Sequence, residues 1–566
     1  MLTNGISRIC LTSAALIGCG MTSSCRQGNN DEAPRPNIIL ILADDMGYSD
    51  LGCYGGEMST PVLDSLAFAG LRYTQFYNCA RSCPSRACLL TGLYPHQAGV
   101  GHMVTDRGMD GYHGTLVSQS VTLAEALRVC GYKTAMTGKW HVTNNTKPDG
   151  DRSQWPMQRG FDRFYGTLNG LGIFWDPTTL YDGETPIRAE GDYYYTEAIS
   201  DAACGFIREL ASKEDPFFLY VSYTAPHYPL HAREGYIEKY AGRFSAGWDS
   251  LRVERMKRMV GLGIFDEDTV LPERDAQCYP YDSEQYKEWQ QMRMEVYAAM
   301  IEQMDVGVGK IMEEIRRVGI SDNTLIVFLS DNGASSEGHL FNIVERTGGP
   351  WNIKQTHTRD GRPIRAGDFP GERLGPDDTY GSYGPQWAHL SNTPFKRYKS
   401  WVHEGGICAP MIVSWGDRIK DKGSFRRGVF SIIDFMPTFL ELAGGTYPEK
   451  IRGQETIPME GISMTRSFEE DYSDDDRILY WEHEGNRAIR QGRWKLVSEY
   501  PGAWSSLRPY PKGGNWELYD LEKDRTETED LSASYPEVVE RLSAEWTHWA
   551  DRCGVRDWGE IGGVNW

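Results

Sequence analysis

Short apolar runs alternate with helical patterns along most of the chain. The run from Asn37 to Ala43 is almost continuously apolar, which is typical of a strand buried on both faces. Similar runs predict strands at 133–136, 217–223, 324–329 and 410–415. Apolar residues spaced alternately four and three apart from Tyr297 to Ile315 predict a helix, as does the pattern over 431–443. Alternating strands and helices predict an α/β fold, with a large, mostly parallel sheet covered by helices on both faces.

The pattern changes after about Asp475. A small antiparallel sheet followed by a closing helix is predicted there, with strands at 478–481, 487–490, 494–497 and 516–519 and the helix at 535–553. We therefore predict a main α/β domain over 36–470 and a C-terminal α+β subdomain over 475–566. The stretches 233–282 and 342–386 are long, polar and rich in glycine, and we expect them to form loops at the mouth of a site.

The beginning of the chain has the pattern of an export signal. Arg8 precedes an apolar stretch that ends in small residues, so we predict a signal peptide over 1–25 and a polar tether over 26–35. The residues before Cys19 resemble a bacterial lipobox, and acylation of Cys19 is the alternative to an ordinary signal peptide. We expect an exported protein, either periplasmic or anchored as an outer-membrane lipoprotein of a Gram-negative bacterium.

Composition and charge exclude several classes of function. The chain has 79 acidic and 59 basic residues, a formal net charge of −20, and such a surface repels phosphate backbones, so we expect no nucleic-acid partner. No apolar run is long enough for a transmembrane helix. The 12 cysteines lack the paired C-x-x-C spacing of a zinc ribbon and are too few for a disulfide scaffold in 566 residues.

Polar residues follow several of the predicted strands. Asp44 and Asp45 come after the first strand, and Asp331 and Asn332 after the one ending near 329. Residues 139–141 and His227 follow two others, and ligands of parallel sheets bind beyond the carboxyl ends of the strands. Three carboxylates and an amide offer only hard oxygen ligands, which suits Ca²⁺ or Mg²⁺ rather than zinc. The alternative is that these residues are separate turn or capping residues that never meet.

The most specific motif is Ser82-Cys83-Pro84-Ser85-Arg86, followed by apolar residues and Thr91-Gly92. It resembles the signature of the sulfatases, C/S-x-P-S-R. Other family patterns match in order along the chain: the acidic pair 44–45, T-P-x-L-D-x-L-A at 60–67, G-K-W-H at 138–141, P-H at 226–227, S-D-N-G at 330–333, and a lysine at 399 ahead of E-G-G at 404–406. The resemblance implies an alkaline-phosphatase-like fold.

The resemblance also implies a mechanism. In sulfatases the first residue of the signature is oxidised to formylglycine, whose hydrate attacks sulfur, and the P-S-R spacing assigns that position to Ser82 rather than to Cys83. Serine at this position resembles bacterial members that are matured by a radical enzyme, which would be a partner during biosynthesis. A divalent cation, Ca²⁺ with Mg²⁺ as the alternative, would be held by Asp44, Asp45, Asp331, Asn332 and Ser82.

Five further residues acquire roles through the same resemblance. Arg86 and Lys139 would anchor the modified residue and neutralise charge, and His141 would take its proton. His227 and Lys399 would grip the sulfate and protonate the departing alcohol oxygen.

The substrate is less clearly indicated than the reaction. The 17 Trp and 31 Tyr residues suit the stacking of a sulfated glycan, and a small sulfate ester is the simpler possibility. We predict the substrate rim at His102, His403, His483 and Arg487. The alternatives are a phosphonate monoester or phosphodiester hydrolase of the same superfamily, against which Asn332 argues because those relatives usually carry histidine there, and a non-catalytic glycan-binding protein.

Overall fold

The computed structural model describes residues 34–338, 355–500 and 514–561. The predicted signal peptide over 1–25, Cys19 within it and nearly all of the predicted tether lie outside these residues. From Arg35 onward the described residues form a single compact unit. Within the described part of the chain, none of the helices combines the length and the apolar character that crossing a bilayer would require.

The predicted apolar runs form the centre of the largest sheet. In chain order the strands are β1 (Asn37–Ala43), β2 (Leu71–Tyr77), β3 (Lys133–Lys139), β4 (Arg163–Thr167), β5 (Leu180–Asp182), β6 (Thr185–Pro186), β7 (Phe217–Ser222), β8 (Thr324–Ser330), β9 (Arg365–Ala366), β10 (Thr379–Tyr380), β11 (Cys408–Ser414), β12 (Ser424–Arg426), β13 (Phe430–Ser431), β14 (Lys450–Ile451), β15 (Gln454–Glu455), β16 (Ile478–His483), β17 (Asn486–Gln491), β18 (Trp494–Ser498) and β19 (Glu517–Asp520).

Among the described residues the main sheet has the strand order β12-β2-β11-β8-β1-β7-β3-β4-β5-β6, with β13 also paired to β2. The consecutive strands β8, β1, β7, β3 and β4 are parallel, whereas β11 runs antiparallel to both β8 and β2. β1 lies at the centre, and its residues Ile38–Ala43 are completely buried. The carboxyl ends of β1, β3, β7 and β8 therefore meet at one edge of the sheet.

Helices cover the main sheet, and a second sheet follows along the chain. In chain order the helices are α1 (Pro61–Phe68), α2 (Ser82–Thr91), α3 (Leu123–Val129), α4 (Tyr195–Ala211), α5 (Glu234–Ile237), α6 (Gly247–Gly261), α7 (Lys287–Arg317), α8 (Gly384–Ser391), α9 (Glu404–Ile407), α10 (Phe435–Leu442), α11 (Pro536–Cys553) and α12 (Trp558–Ile561). Strands β16 to β19 form an antiparallel sheet in chain order, against which α11 packs. The predicted α/β class and the C-terminal antiparallel sheet are confirmed.

Two local predictions were wrong. The predicted loop 233–282 contains α6, whose buried face includes Arg252 and Arg255 as well as Trp248. Because Arg255 is buried through ion pairs to Asp50 and Glu57, at 2.8 and 2.9 Å, charged residues occupy core-facing positions and no hydrophobic period is visible. The strand predicted over 133–136 continues to residue 139, so Lys139 ends the strand instead of following it.

The second predicted loop is only partly described. Residues 339–354 lie outside the described part of the chain. The remainder holds the short parallel pair β9 and β10 and the beginning of α8.

Candidate active site

Asp44 and Asp45 meet Asp331 and Asn332 where β1 and β8 end, and these four residues form the acidic cluster. Ala43 and Ser330 are register partners, so the residues that follow each strand emerge side by side. The backbone N–H of Asp45 donates to Asp331 Oδ1 at 3.2 Å, and Asn332 Nδ2 donates to Asp45 Oδ1 at 2.8 Å. Asp45 has a φ of 65°, in the left-handed region that aspartate tolerates better than most residues. The structure thus joins four residues that sequence reasoning could only suppose to be near one another.

The first turn of α2 carries Ser82 into this cluster. Pro84 occupies that turn, where a backbone N–H has no helical partner to lose. The Ser85 hydroxyl bonds the carbonyl and the N–H of Cys79, both at 3.1 Å, which fixes the preceding loop against the helix. Ser82 Oγ donates to Asp44 Oδ1 at 2.8 Å and lies 3.4 Å from Asn332 Oδ1. The motif residues therefore act together to place one hydroxyl at the acidic cluster.

Arg86 lies one helical turn after Ser82 and hence on the same face of α2. Its guanidinium is completely buried and donates to Asp331 Oδ2 through Nε at 3.1 Å and Nη2 at 2.9 Å. Nη1 donates to the Lys139 carbonyl at 3.2 Å and to the Ser222 hydroxyl. These bonds fix Arg86 between the ends of β3, β7 and β8.

Lys139 supplies a second buried cation beside the cluster. Its Nζ lies 2.5 Å from Asp44 Oδ2. Burial by itself would raise the pKa of Asp44, but Lys139 above all outweighs that effect and holds the pKa of this carboxyl well below its usual range. Asp44 is therefore ionised at neutral pH and accepts hydrogen bonds from both Ser82 and Lys139.

His227 and Lys399 form the opposite side of the site. Lys399 Nζ lies 2.8 Å from Asp45 Oδ2 and 3.4 Å from His227 Nε2. His227 Nδ1 is 2.5 Å from the Tyr228 carbonyl, so Nδ1 carries the proton when the ring is neutral and Nε2 has the free lone pair. Burial lowers the pKa of His227. Burial would also lower that of Lys399, but Asp45 and Glu337 raise it above its usual value.

Sequence reasoning missed two charged residues beside these groups. Glu337 accepts from Lys399 at 3.1 Å and from Arg81 at 2.8 Å, and Arg81 precedes Ser82 directly. Neither residue lies at a strand end or within the matched motifs. The sequence indicated them only in that Arg81 lies next to Ser82 and Glu337 lies five residues after Asn332. Such closeness along the chain does not distinguish a functional charged residue from any other in a loop.

The His141 ring packs against α2. Its Nε2 lies 3.2 Å from Cys83 Sγ, and its φ is 57°. Burial raises the pKa of the Cys83 thiol to about 11, so the sulfur is protonated at neutral pH. Burial also lowers the pKa of His141 well below its usual value, so this ring is neutral at neutral pH.

Gly170 leaves the space that the His141 ring occupies, and we expect Gly170→Ala to reduce kcat/KM by about 100-fold. A Cβ at position 170 would lie 1.9 Å from His141 Cε1, so the ring has to move. Steady-state kinetics on an aryl sulfate, beside the thermal midpoint, measures the effect. Gly172→Ala is the matched control, because its nearest neighbour would be 3.6 Å away. Equal kinetics in the two variants would show that the position of His141 does not matter.

The predicted substrate-rim residues have different partners in the structure. His102 and His483 stack on each other with ring centroids 5.6 Å apart, and both are buried. His403 Nε2 lies 3.4 Å from Glu517 Oε2, and the Arg487 guanidinium lies over the Trp516 ring at 4.3 Å. Burial lowers the pKa of His483 to about 3. Their role as a substrate rim stays a prediction.

The acidic cluster fits a divalent cation. Its three carboxylates are at most 1% exposed, and burial followed by the charge of Asp44 raises the pKa of Asp331 to about 7. Burial is the larger cause of this shift and the repulsion from Asp44 the second, and a bound cation would relieve that repulsion. The available oxygens come from Asp44, Asp45, Asp331, Asn332 and Ser82. Such all-oxygen sets favour Ca²⁺ or Mg²⁺ over zinc.

Comparisons with known proteins find matches that cover most of the chain. The family model described as Sulfatase matches residues 36–445, and the model described as N-sulphoglucosamine sulphohydrolase, C-terminal, matches residues 396–551. An uncharacterized sulfatase of Schizosaccharomyces pombe is 31% identical over 93% of this chain and 95% of its own. An arylsulfatase of Klebsiella aerogenes is 35% identical over 76% of this chain and 91% of its own.

A solved structure extends the likeness to three dimensions. The crystal structure of Ps i-CgsB in complex with k-i-k-neocarrahexaose superposes with a TM-score of 0.61 at 25% identity. The match covers 91% of this chain and 93% of that one.

Proposed function

The chain belongs to the sulfatase family of sulfuric ester hydrolases, and on that premise we propose that it hydrolyses a sulfate monoester of a carbohydrate with Ser82, oxidised to formylglycine, as nucleophile. The observation that carries the proposal is the position of Ser82 Oγ, 2.8 Å from Asp44 Oδ1 at the edge of the acidic cluster. When formed, the hydrated aldehyde would supply an oxygen nucleophile and a second hydroxyl through which sulfate can be released.

We propose that Asp44, Asp45, Asp331, Asn332 and the Ser82 side chain hold a divalent cation, Ca²⁺ with Mg²⁺ as the alternative. When bound, the cation would act as a Lewis acid toward a sulfate oxygen and lower the pKa of the nucleophilic hydroxyl. Lys139 and Arg86 are completely buried next to the acidic residues. They would hold the nucleophile in place and balance the charge of the buried acids, since both already contact Asp44 or Asp331.

The other residues provide charge and protons around the ester. A sulfate monoester is anionic, so a protonated Lys399 beside His227 favours its binding in an otherwise acidic protein. A proton held at this pair is placed for the departing alcohol oxygen, because Lys399 Nζ is 3.4 Å from His227 Nε2. His141, a neutral imidazole against α2, is suited to accept a proton from the Ser82-derived group.

A carbohydrate is the substrate class that we propose. Ps i-CgsB, the structural relative at 25% identity, was solved with a carrahexaose, and the C-terminal family model is described for an N-sulphoglucosamine sulphohydrolase. We further propose that the chain is exported, with residues 1–25 as signal peptide, and that a radical maturase oxidises Ser82. Residues 36–470 would form the catalytic domain, and residues 475–566 the C-terminal subdomain.

The reaction is tested with matched aryl esters. We expect kcat/KM for an aryl sulfate to exceed that for the corresponding aryl phosphate by at least about 100-fold. A panel of sulfated oligosaccharides, assayed by sulfate release, then measures the preference for a carbohydrate over the aryl group. Faster turnover of the phosphate ester would refute the proposal in favour of a phosphohydrolase. Turnover of neither ester by protein with a modified Ser82 would favour a binding protein.

The modification of Ser82 is tested separately. Protein from the source organism is digested, and the peptide that contains Ser82 is weighed by mass spectrometry. We expect a peptide lighter than the unmodified one by two hydrogens. An active preparation in which Ser82 keeps the full serine mass would contradict the formylglycine mechanism, whatever the substrate turns out to be.

A further inference from the structure

A second group of metal-ligating side chains lies outside the acidic cluster. The ligand atoms of His102, His483 and Glu484 all lie within 4.8 Å of one another, and each residue is at most 2% exposed. Glu484 Oε1 is 2.8 Å from His102 Nε2 and 3.7 Å from His483 Nε2. The group is therefore compact enough for all three side chains to reach one ion.

Two separate parts of the chain supply these residues. His102 lies in the segment after α2, beside the isolated bridge between Val100 and Tyr112. His483 ends β16, and Glu484 is the first residue of the turn that leads into β17. An ion bound by all three would link the β16–β17 hairpin to the segment that follows the helix of Ser82.

The position of Glu484 is unusual for a glutamate. His483 pairs with Asn486, so Glu484 and Gly485 form a two-residue hairpin turn, and their φ values are 51° and 83°. Turns with positive φ at both positions prefer Asn-Gly, Asp-Gly or Gly-Gly. Glutamate is therefore not favoured by the turn itself, which suggests that its carboxylate has another role at this position.

Several polar atoms of this group have unfilled hydrogen-bonding capacity. Among the described residues, His483 Nδ1 and Nε2 and Glu484 Oε2 have no hydrogen-bond partner although they are shielded from solvent. Buried polar atoms nearly always have partners, so an unpartnered imidazole beside an unpartnered carboxylate oxygen points to a missing ligand. A metal ion would fill these positions, since both atom types coordinate metals.

Two arginines lie near this group. Arg81 acts on His483 and Glu484 and is itself paired with Glu337 at 2.8 Å, and Arg107 acts on His102 and Glu484. Close by, His96 and Glu482 form a second buried His–Glu pair at 2.9 Å, and this pair is not part of any three-ligand group among the described residues. His96 therefore provides a control: it belongs to a similar buried pair, but no third metal-ligating residue joins that pair among the described residues.

We propose that His102, His483 and Glu484 bind a divalent transition-metal ion of the zinc class. Two imidazole nitrogens and one carboxylate oxygen form a ligand set that zinc uses with a fourth position for water. The acidic cluster is richer in oxygen ligands, although His227 also lies within reach of Asp44 and Asp45, so it favours Ca²⁺ or Mg²⁺ more strongly than this group does. The ion stabilises the packing of the C-terminal hairpin against the segment after α2.

The test is metal binding by the untagged, full-length protein. The protein is stripped of metal with a chelator, placed in excess calcium, titrated with Zn²⁺ and desalted. Bound zinc is then measured by elemental mass spectrometry. We expect one equivalent of zinc and a higher thermal midpoint, because an ion that binds only the folded state stabilises it. Substitutions of residues that support metal ligands weaken metal binding by about 10–100-fold. His483→Gln removes a ligand, so it should weaken zinc binding by more than that. His96→Gln, the matched control, should keep one equivalent.

Two further measurements keep the result interpretable. Asp331→Asn should retain the zinc, so a failed sulfatase mechanism leaves this test unaffected. If His483→Gln does not fold, the Co²⁺-loaded wild-type protein decides: we expect the visible spectrum of a nitrogen and oxygen site without a thiolate charge-transfer band. Absence of a zinc equivalent in the wild-type protein, full zinc retention in a folded His483→Gln variant, or a thiolate band would overturn the proposal.

Discussion

Ser82→Ala is expected to reduce kcat on an aryl sulfate by on the order of 10⁴–10⁶-fold, the range seen when an enzyme loses its nucleophile. The substitution removes the oxygen that lies 2.8 Å from Asp44 and with it the group that can be oxidised to formylglycine. Asp44 keeps its ion pair with Lys139, so we expect the circular dichroism spectrum and the thermal midpoint to change little. Stopped assays with a long incubation give the residual rate.

Cys88→Ala is the matched control for this substitution. It lies on the same helix, is also buried and loses one heavy atom in the same way, but among the described residues its side chain has a hydrogen-bond contact only with Cys79 Sγ, at 3.4 Å. We expect its kcat to stay within about 3-fold of the wild type, as for a change outside the reacting groups. Activity of Ser82→Ala above one hundredth of the wild type would show that another group attacks sulfur.

The convergence of Asp44, Asp45, Asp331 and Asn332 could be expected from the sequence, whereas the order of the strands could not. Continuous apolar runs mark strands buried on both faces, and the polar residues after such strands meet at one edge. Asp44 and Asp331 could be located in this way although they are 287 residues apart, and in the structure β1 and β8 are neighbours in register. The identity of the nucleophile, in contrast, depended on the spacing of one short motif.

Other parts of the site could not be predicted because their buried residues are charged. Helix α6 faces the core with Arg255, and the site encloses Glu337 and Arg81, each of which a pattern of apolar positions assigns to the surface. The charge of such a residue can be buried only when an ion pair offsets the cost of removing it from water, and its partner comes from a distant segment of the chain. For the same reason the burial of His102 and His483 side by side, with a Glu484 oxygen 2.8 and 3.7 Å from their Nε2 atoms, could not be predicted from the sequence.

Asp331→Asn is expected to weaken Ca²⁺ binding by at least about 100-fold, more than the loss of an outer-shell contact costs. The substitution keeps the shape of the side chain but removes one of the three buried negative charges that we propose to hold the ion. Arg86, which donates twice to Asp331 Oδ2, also loses the nearer of its two carboxylate partners, the other being Asp44 at 3.7 Å. Activity should fall with metal content and recover in part at high calcium. Calcium content after desalting, and kcat/KM as a function of calcium concentration, measure both effects.

Asp305→Asn is the control that separates loss of the metal from loss of a buried carboxylate. Asp305 is also completely buried, but it accepts the N–H groups of Val62 and Leu63 at 3.1 and 2.8 Å, at the start of α1. We expect this variant to keep calcium and activity, even if its thermal midpoint is lower. Wild-type protein treated with a chelator should lose activity and regain it with calcium. Full turnover in excess chelator, or unchanged calcium content in Asp331→Asn, would contradict a metal-assisted reaction at this cluster.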